Sequence, residues 1–489
     1  MESPELEGRK EDYYFRATIT FGDSQIDDLH CKAYLPIKFT EPVLLYFHLT
    51  DKQAQLIRTS RGDLWKFSLR GELGWGDQKT RIEADNVYIK RIRSRNWGDI
   101  SERLLIAEPV DLRTIIALDR DSSDERCKPG GNFQLSPNRL LNPAMIIENS
   151  YDGNKTVETL RPLEFTLANG LTVTFKKHFK TRENADGEYL TASHLVAEFD
   201  LDTSPVSRVD ASVTRCLDDF LLITSFASRR RCVWCGWETF DSDSHTKFYR
   251  KDVAIPDHPT REDVDDGLIS KAEFGEFLKI AYFAFINEEH KDLLRQALSY
   301  AIPREFQTVE AIFIRLYSAL ETLVLHFRRK NNLETVFSTE EEDDWSQFRN
   351  DLKRWIKEES VLKGAQNKTK QRWICGNLSA LKRIAFSTAF SKFLKSYNVS
   401  LEDLWQVNNN KAAGWSLSEI RNELVHGESL SEPKLDSLMA AEKHLQWTVE
   451  RLILAVLGWD ISRSNVSSVV LENNLFYRNW EIDRRIITG

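Results

Sequence analysis

From Tyr13 to about Asp202, apolar and polar residues alternate with a period of two, in short runs rich in Val, Ile, Thr, Phe and Tyr. Gly, Asp, Asn and Pro break the runs, which is the pattern of strands that bury one face. The strand candidates are Tyr14 to Phe21, Val43 to Leu49, Leu64 to Gly71, Asn86 to Ile92 and Leu195 to Phe199. The clearest hairpin is Glu164 to Phe175, where Asn169-Gly170 is the dipeptide that supplies two positive φ angles to a tight two-residue turn. These elements predict a β-rich N-terminal domain over 1–205, a sandwich or barrel-like scaffold.

The pattern then becomes mixed. Residues 206–262 read as a connector, with a helix from Val213 to Ala227 and a ribbon from Arg231 to Phe240 and Thr246 to Tyr249. The stretch Asp252 to Asp266, with Pro256, Pro259 and a run of acids, is the best domain boundary. Beyond it the apolar period lengthens to about 3.6, so 263–489 reads as an all-α bundle. The expected helices are Leu268 to Ile286, Lys291 to Tyr300, Val309 to Arg329, Asp343 to Glu358, Leu378 to Ser396, Leu401 to Val407, Leu417 to Val425 and Leu435 to Leu457. The fold class is therefore α+β, a β-rich domain followed by a helical one.

Composition narrows the function classes. A chain of 489 residues exceeds what one core supports, and 27 Phe with 13 Trp supply apolar material for two or three domains. The net charge of −8 excludes a protein that coats nucleic acid by charge alone, so any such contact is local. Basic residues do cluster in Lys90-Arg91-Ile92-Arg93-Ser94-Arg95, in Arg229 to Arg231 and in Lys368 to Arg372, although most such runs are solvated faces. Met1 to Glu5 lacks a signal pattern and no apolar run approaches the ~20 residues of a membrane span, so a cytoplasmic protein without membrane contact is expected. Six Cys in so long a chain do not make a disulfide framework.

The candidate chemistry lies in Ser418-Glu419-Ile420-Arg421-Asn422-Glu423-Leu424-Val425-His426-Gly427, a short helix with Ser418 as its cap and a left-handed Gly as its stop. Asn422 and His426 are four apart and share a face, while Arg421 points about 140° away from His426. A neutral His takes a proton from a ribose 2′-hydroxyl near pH 7. Arg offers a planar fork of donors to the charge that builds up on a phosphate, and Asn fixes orientation by hydrogen bonds. With the attacking hydroxyl built into the substrate, no metal is needed to make a nucleophile.

The segment Arg421-Asn422-x-x-x-His426, late in a helical C-terminal domain, resembles the motif of the HEPN superfamily, in which Arg, a polar residue and His form a metal-independent ribonuclease site. Arg315-Leu316-Tyr317-Ser318-Ala319-Leu320-Glu321-Thr322-Leu323 resembles the acidic helix of many HEPN domains. The resemblance makes Glu321 a fourth catalytic candidate that orients or charge-balances Arg421 or His426. Joined to a β-rich N-terminal domain, the helical half is similar to the ApeA family of bacterial anti-phage proteins. That likeness implies a homodimer formed through the helical domain, RNA cleavage, of tRNA above all, to 2′,3′-cyclic phosphate ends, a toxicity that halts the infected cell, and a phage-encoded activator. The competing class is a non-catalytic HEPN module that binds RNA or protein, usually with the Arg or His lost; here both are present.

Weaker signals remain. Lys411 and Trp415, just before the motif, are placed to contact RNA. Cys232-Val233-Trp234-Cys235 is half of a zinc knuckle, for which Cys216 and His245 are within reach as third and fourth ligands; two buried free thiols are the other reading. No cofactor is expected for catalysis, and a structural zinc stands as an open alternative.

Overall fold

A computed structural model describes residues 10–22, 24–36, 43–59, 66–75, 78–97, 100–117, 129–149, 155–183, 189–201, 208–241, 244–250, 267–304, 307–337, 340–363, 365–408, 414–427 and 432–488. The chain divides into two compact units, Met1–Val264 and Asp265–Gly489. It is an α+β protein, with a β-rich first unit and a helical second one. Among the described residues, no helix is long and apolar enough to cross a membrane.

The first unit begins with β1 (Lys10–Phe21), β2 (Ser24–Pro36), β3 (Leu44–Leu49), a helix α1 (Asp51–Thr59), β4 (Lys66–Trp75), β5 (Gln78–Trp97) and β6 (Ile100–Pro109). These six strands run in the order β5-β4-β1-β2-β3-β6, and β5 pairs with β6 to close a barrel. Alternation drives the closure: Phe15, Ala17 and Ile19 of β1 point into the barrel while Tyr14 and Arg16 face out. Leu29, Ala33, Leu45, Phe47, Leu69, Ile82 and Leu105 complete the interior. Gly71 is required where β4 pairs with β1, because a Cβ there would collide with the Phe15 ring.

Past the barrel the chain continues through β7 (Asp111–Ala117), β8 (Gly130–Leu135), β9 (Ala144–Asn149), β10 (Lys155–Leu160), β11 (Leu163–Thr166), β12 (Thr172–Glu183) and β13 (Tyr189–Asp200). After these come α2 (Ala211–Ser228), β14 (Trp234–Phe240) and β15 (Ser244–Arg250). Beyond β5 the order is β7-β15-β14-β8-β13-β12-β11, with β9 and β10 forming a separate ribbon. Within β5, Thr80 to Glu83 pair with β7 on one side while Arg81 to Glu83 pair with β4 on the other; Val87 to Trp97 pair with β6. One strand thus serves both barrel and open sheet. Phe220 of α2 stacks on Phe175 at 5.2 Å and meets Phe165 at 4.9 Å, which seats this helix on β11 and β12. Asp210 caps α2 by accepting from the backbone N–H groups of Ser212 and Val213.

Two expectations change here. The ribbon expected within a 206–262 connector is part of the sheet, since β14 pairs with β8 and β15 with β7. The expected boundary from Asp252 to Asp266 lies outside the described residues, and the division of the two units after Val264 falls within it. The Asn169-Gly170 hairpin forms, but with a longer turn: Leu167 and Leu171 still face each other, and only Gly170 has positive φ, at 85°. Asn169 instead accepts a hydrogen bond from the Leu171 N–H through Oδ1, as an Asx turn does.

The helical unit comprises α3 (Phe274–Ile286), α4 (Lys291–Ala301), α5 (Val309–Lys330), α6 (Glu342–Glu358), α7 (Lys368–Asn377), α8 (Phe386–Ser396), α9 (Leu417–His426), α10 (Glu432–Val456), α11 (Ser468–Leu471) and α12 (Leu475–Thr488). Helix α5 is the hub and packs against α4, α8, α9 and α10. Its buried stripe of Phe313, Leu316, Leu320, Leu323 and Phe327 advances by alternating steps of three and four, the spacing of one helical face. The expected helix from Leu378 to Ser396 is broken at Arg383 to Ala385. There Arg383 bridges Thr335, and the Ile384 N–H donates to Glu334 O at 3.4 Å. Leu401 to Val407 forms turns rather than a helix, for the Trp405 backbone N–H is taken by the buried ring of His444 at 3.0 Å. Helix α3 starts at Phe274, later than Leu268.

Candidate active site

Local chemistry sets the frame of α9. Ser416, not Ser418, is its N-cap: the Ser416 hydroxyl accepts from the Glu419 N–H, and Glu419 Oε2 accepts from the Ser416 N–H at 2.7 Å. This reciprocal capping box satisfies two donors at the start of the helix. Gly427 ends it at φ 81°, a conformation a side chain disfavours. Leu417 and Ile420 are buried and fasten the inner face.

Ser418 acts as an anchor inside the helix. Its hydroxyl donates to the Val407 carbonyl at 2.6 Å, which leaves the oxygen to accept from the Tyr317 phenol of α5 at 2.7 Å. Burial pushes the Tyr317 phenol above its ordinary range, so it stays a neutral donor. Above the Tyr317 ring lies the Arg421 guanidinium, 5.7 Å from the centroid. Arg421 Nη2 is 3.6 Å from Glu321 Oε1, and Nη1 donates to Asn422 Oδ1 at 3.3 Å. Glu321 sits one helical turn after Tyr317, so one face of α5 offers an aromatic ring and a carboxylate to the same guanidinium.

The structure therefore brings together three of the four catalytic candidates: Arg421, Asn422 and Glu321. His426 lies on the last turn of α9, exposed, on the face it shares with exposed Asn422. No described residue hydrogen-bonds its ring. The angular offset expected between Arg421 and His426 is realised: Arg421 turns toward α5 and His426 toward solvent. The ion pair is partly exposed, with 34% and 46% of the two side chains accessible, so it orients more than it stabilises.

The expected RNA contacts fare differently. Lys411 lies outside the described residues. Trp415 is half-buried and its peptide group is clamped: the carbonyl accepts from Trp405 Nε1 at 2.9 Å and Arg484 Nε at 3.0 Å, and the N–H donates to Thr488 Oγ1 at 3.0 Å. The Lys434 ammonium lies 5.4 Å from the Trp415 ring centroid.

The zinc candidates occupy the other unit. Cys232 and Cys235 are buried, and loss of hydration pushes both thiols up to about 12. Cys216 is half-buried on α2, and His245 stacks on Phe240 at 4.2 Å and faces Glu238 at 3.5 Å. Among the described residues, no three His, Cys, Asp or Glu side chains gather as a metal-ligand set, so Cys216, Cys232, Cys235 and His245 are not brought together.

Sequence reasoning left Tyr317 without a role and took Ser418 for a cap rather than an anchor. The signal for Tyr317 was its position four before Glu321; nothing local marks the Ser418 anchor, whose closest hydroxyl partners are 11 and 101 residues away. In comparison with known proteins, no family model matches the chain, and neither the curated proteins nor the solved structures give a significant match.

Proposed function

We propose that this chain is a metal-independent endoribonuclease of the HEPN class. The observation that carries the reading is the Arg421–Glu321 pair between α9 and α5, with His426 left accessible at the end of the same helix. In the proposed reaction His426 takes the proton from a ribose 2′-hydroxyl, and the oxygen attacks the adjacent phosphorus. The bond to the 5′ oxygen breaks and that oxygen takes up a proton from water, giving a 2′,3′-cyclic phosphate and a 5′-hydroxyl. Arg421 holds the phosphate as charge grows on it, with Glu321 and Tyr317 fixing the guanidinium from one side and Asn422 from the other. The substrate supplies the nucleophile, so the scheme requires no metal, and DNA is inert to it.

Likeness to the ApeA family extends the proposal to a homodimer that cuts tRNA during phage infection and is triggered by a phage component. The test is cleavage of single-stranded RNA and tRNA by the wild-type, Arg421→Ala and His426→Ala proteins, with and without a chelator. Loss of either side chain is expected to lower the rate about 10²- to 10⁴-fold, and the chelator to leave it unchanged. A His426→Ala protein that cuts RNA as fast as wild type overturns the assignment.

A further inference from the structure

The outer face of the barrel carries an organised set of aromatic and basic side chains that the catalytic reading does not use. Cross-strand register aligns them in two rows. One row runs Arg91 on β5, Ile106 on β6, Tyr46 on β3, Lys32 on β2 and Tyr14 on β1. The next, two residues along each strand, runs Arg93, Leu104, His48, His30 and Arg16. Residues directly opposite one another in a sheet point to the same side. Phe15 and Cys31, between the rows, point inward and are buried, so both rows face out.

Tyr14, Arg16, His30, Lys32 and His48 line an open cleft of about 380 Å³, and the carboxylate in its wall belongs to Glu72. Glu72 lies 3.8 Å from Arg81, and Asp28 is bound by Arg16. The Lys32 ammonium sits over two rings, 4.2 Å from the centroid of Tyr34 and 5.0 Å from that of Tyr14. Tyr14 is nonetheless 62% exposed, a large ring surface left in water on a strand whose alternate positions are buried. In a chain of net charge −8, a face holding Arg91, Arg93, Lys32 and Arg16 around tyrosine rings is a local reversal of sign.

Rings that accept a stacked base, beside cations that accept its phosphate, are the components of a single-strand nucleic-acid platform. We infer that the β5-β6-β3-β2-β1 face of the barrel binds single-stranded RNA, stacking bases on Tyr14 and Tyr46 and holding the backbone with Lys32, Arg91 and Arg93. An open face that crosses five strands suits a chain of two or three nucleotides better than a lone nucleotide, which favours an enclosed pocket. The choice of RNA as the strand rests on the ribonuclease reading.

The test uses the full chain carrying His426→Ala and a fluorescent single-stranded RNA of about 12 nucleotides, with a DNA of the same sequence alongside. Fluorescence anisotropy gives Kd as a function of salt. Tyr14→Ala is expected to weaken RNA binding by about fivefold or more, while Tyr14→Phe, which keeps the stacking surface, binds as the parent does. Arg91→Gln with Arg93→Gln is expected to lower the slope of log K against log salt by about 1.4. Unchanged affinity in Tyr14→Ala, an unchanged slope in the arginine variant, no RNA binding by the parent, or tighter binding of the DNA overturns the inference. Cleavage by the chain with His426 intact is scored separately, so failure of the ribonuclease reading is told apart from failure of this one.

Discussion

His444 gives the helical unit a measurable sensitivity to acid. The ring is fully buried on α10, where Nδ1 accepts the Trp405 N–H at 3.0 Å and Nε2 donates to the Phe476 carbonyl at 3.1 Å. The Nδ1 bond requires the neutral ring, and burial, against the Phe476 carbonyl, pushes the pKa down from 6.5 to about 4. The unfolded chain therefore binds this proton more readily. Between pH 6.5 and about 4 the unfolded state carries more protons, and stability falls as the pH falls. The full span is worth ~3 kcal/mol, and the part lost between pH 7 and pH 5 is about 2 kcal/mol. Asp403, which burial opposes but Arg451 holds at about 2, contributes only as the pH drops below 3.8, outside this window. Burial also lowers His326, which adds a loss of the same sign.

The assay compares wild type with His444→Gln, since Gln also offers one acceptor and one donor. Urea denaturation at pH 7 and pH 5, followed by hydrogen exchange of α10 amides, isolates the helical unit. Wild type is expected to lose about 2 kcal/mol more than the variant on acidification. An equal loss in both proteins refutes the reasoning, whatever the variant costs at pH 7.

Glu321→Gln is expected to lower RNA cleavage about tenfold, well short of the Arg421→Ala loss, because one orienting contact is removed and the phosphate ligand stays; a rate equal to wild type denies Glu321 a positioning role. Ser416→Ala, which removes the capping hydroxyl of α9, is expected to cost ~1 kcal/mol in chemical denaturation, and a change under about 0.3 kcal/mol contradicts the capping argument. Cys232 and Cys235 are expected to resist alkylation at pH 8 in the native protein and to react once urea unfolds it, as mass spectrometry of labelled peptides reports; rapid native labelling of either counters the burial argument.

How much of this was legible depended on whether the determining contacts were local. Helix α9 was, because its buried Leu417 and Ile420 and its closing Gly427 lie within the stretch that declares it. Its cap was misplaced by two residues, since Ser416 and Ser418 both precede plausible turns and only Glu419 at the right offset decides between them. The Glu321 contact was readable from the helical spacing of α5 together with the resemblance, whereas the Ser418 anchor depended on Val407 and Tyr317, which no short window contains. In the sheet, Asn86 to Ile92 was recognised but β5 extends from Gln78 to Trp97, since its polar ends gain their strand character from β4, β6 and β7. The breaks at Arg383 and Trp405 have the same cause, a backbone group claimed by a distant partner.

The double allegiance of β5 bears on how the protein can be dissected. A fragment ending after β6 retains every strand of the closed barrel, yet it removes β7 and leaves Thr80 to Glu83 with bare backbone donors and acceptors on one side. Such an edge recruits strands from other molecules. The barrel is thus geometrically complete but not separable by simple truncation, and a shortened chain is expected to associate through Thr80 to Glu83 unless a proline or lysine there blocks the new edge.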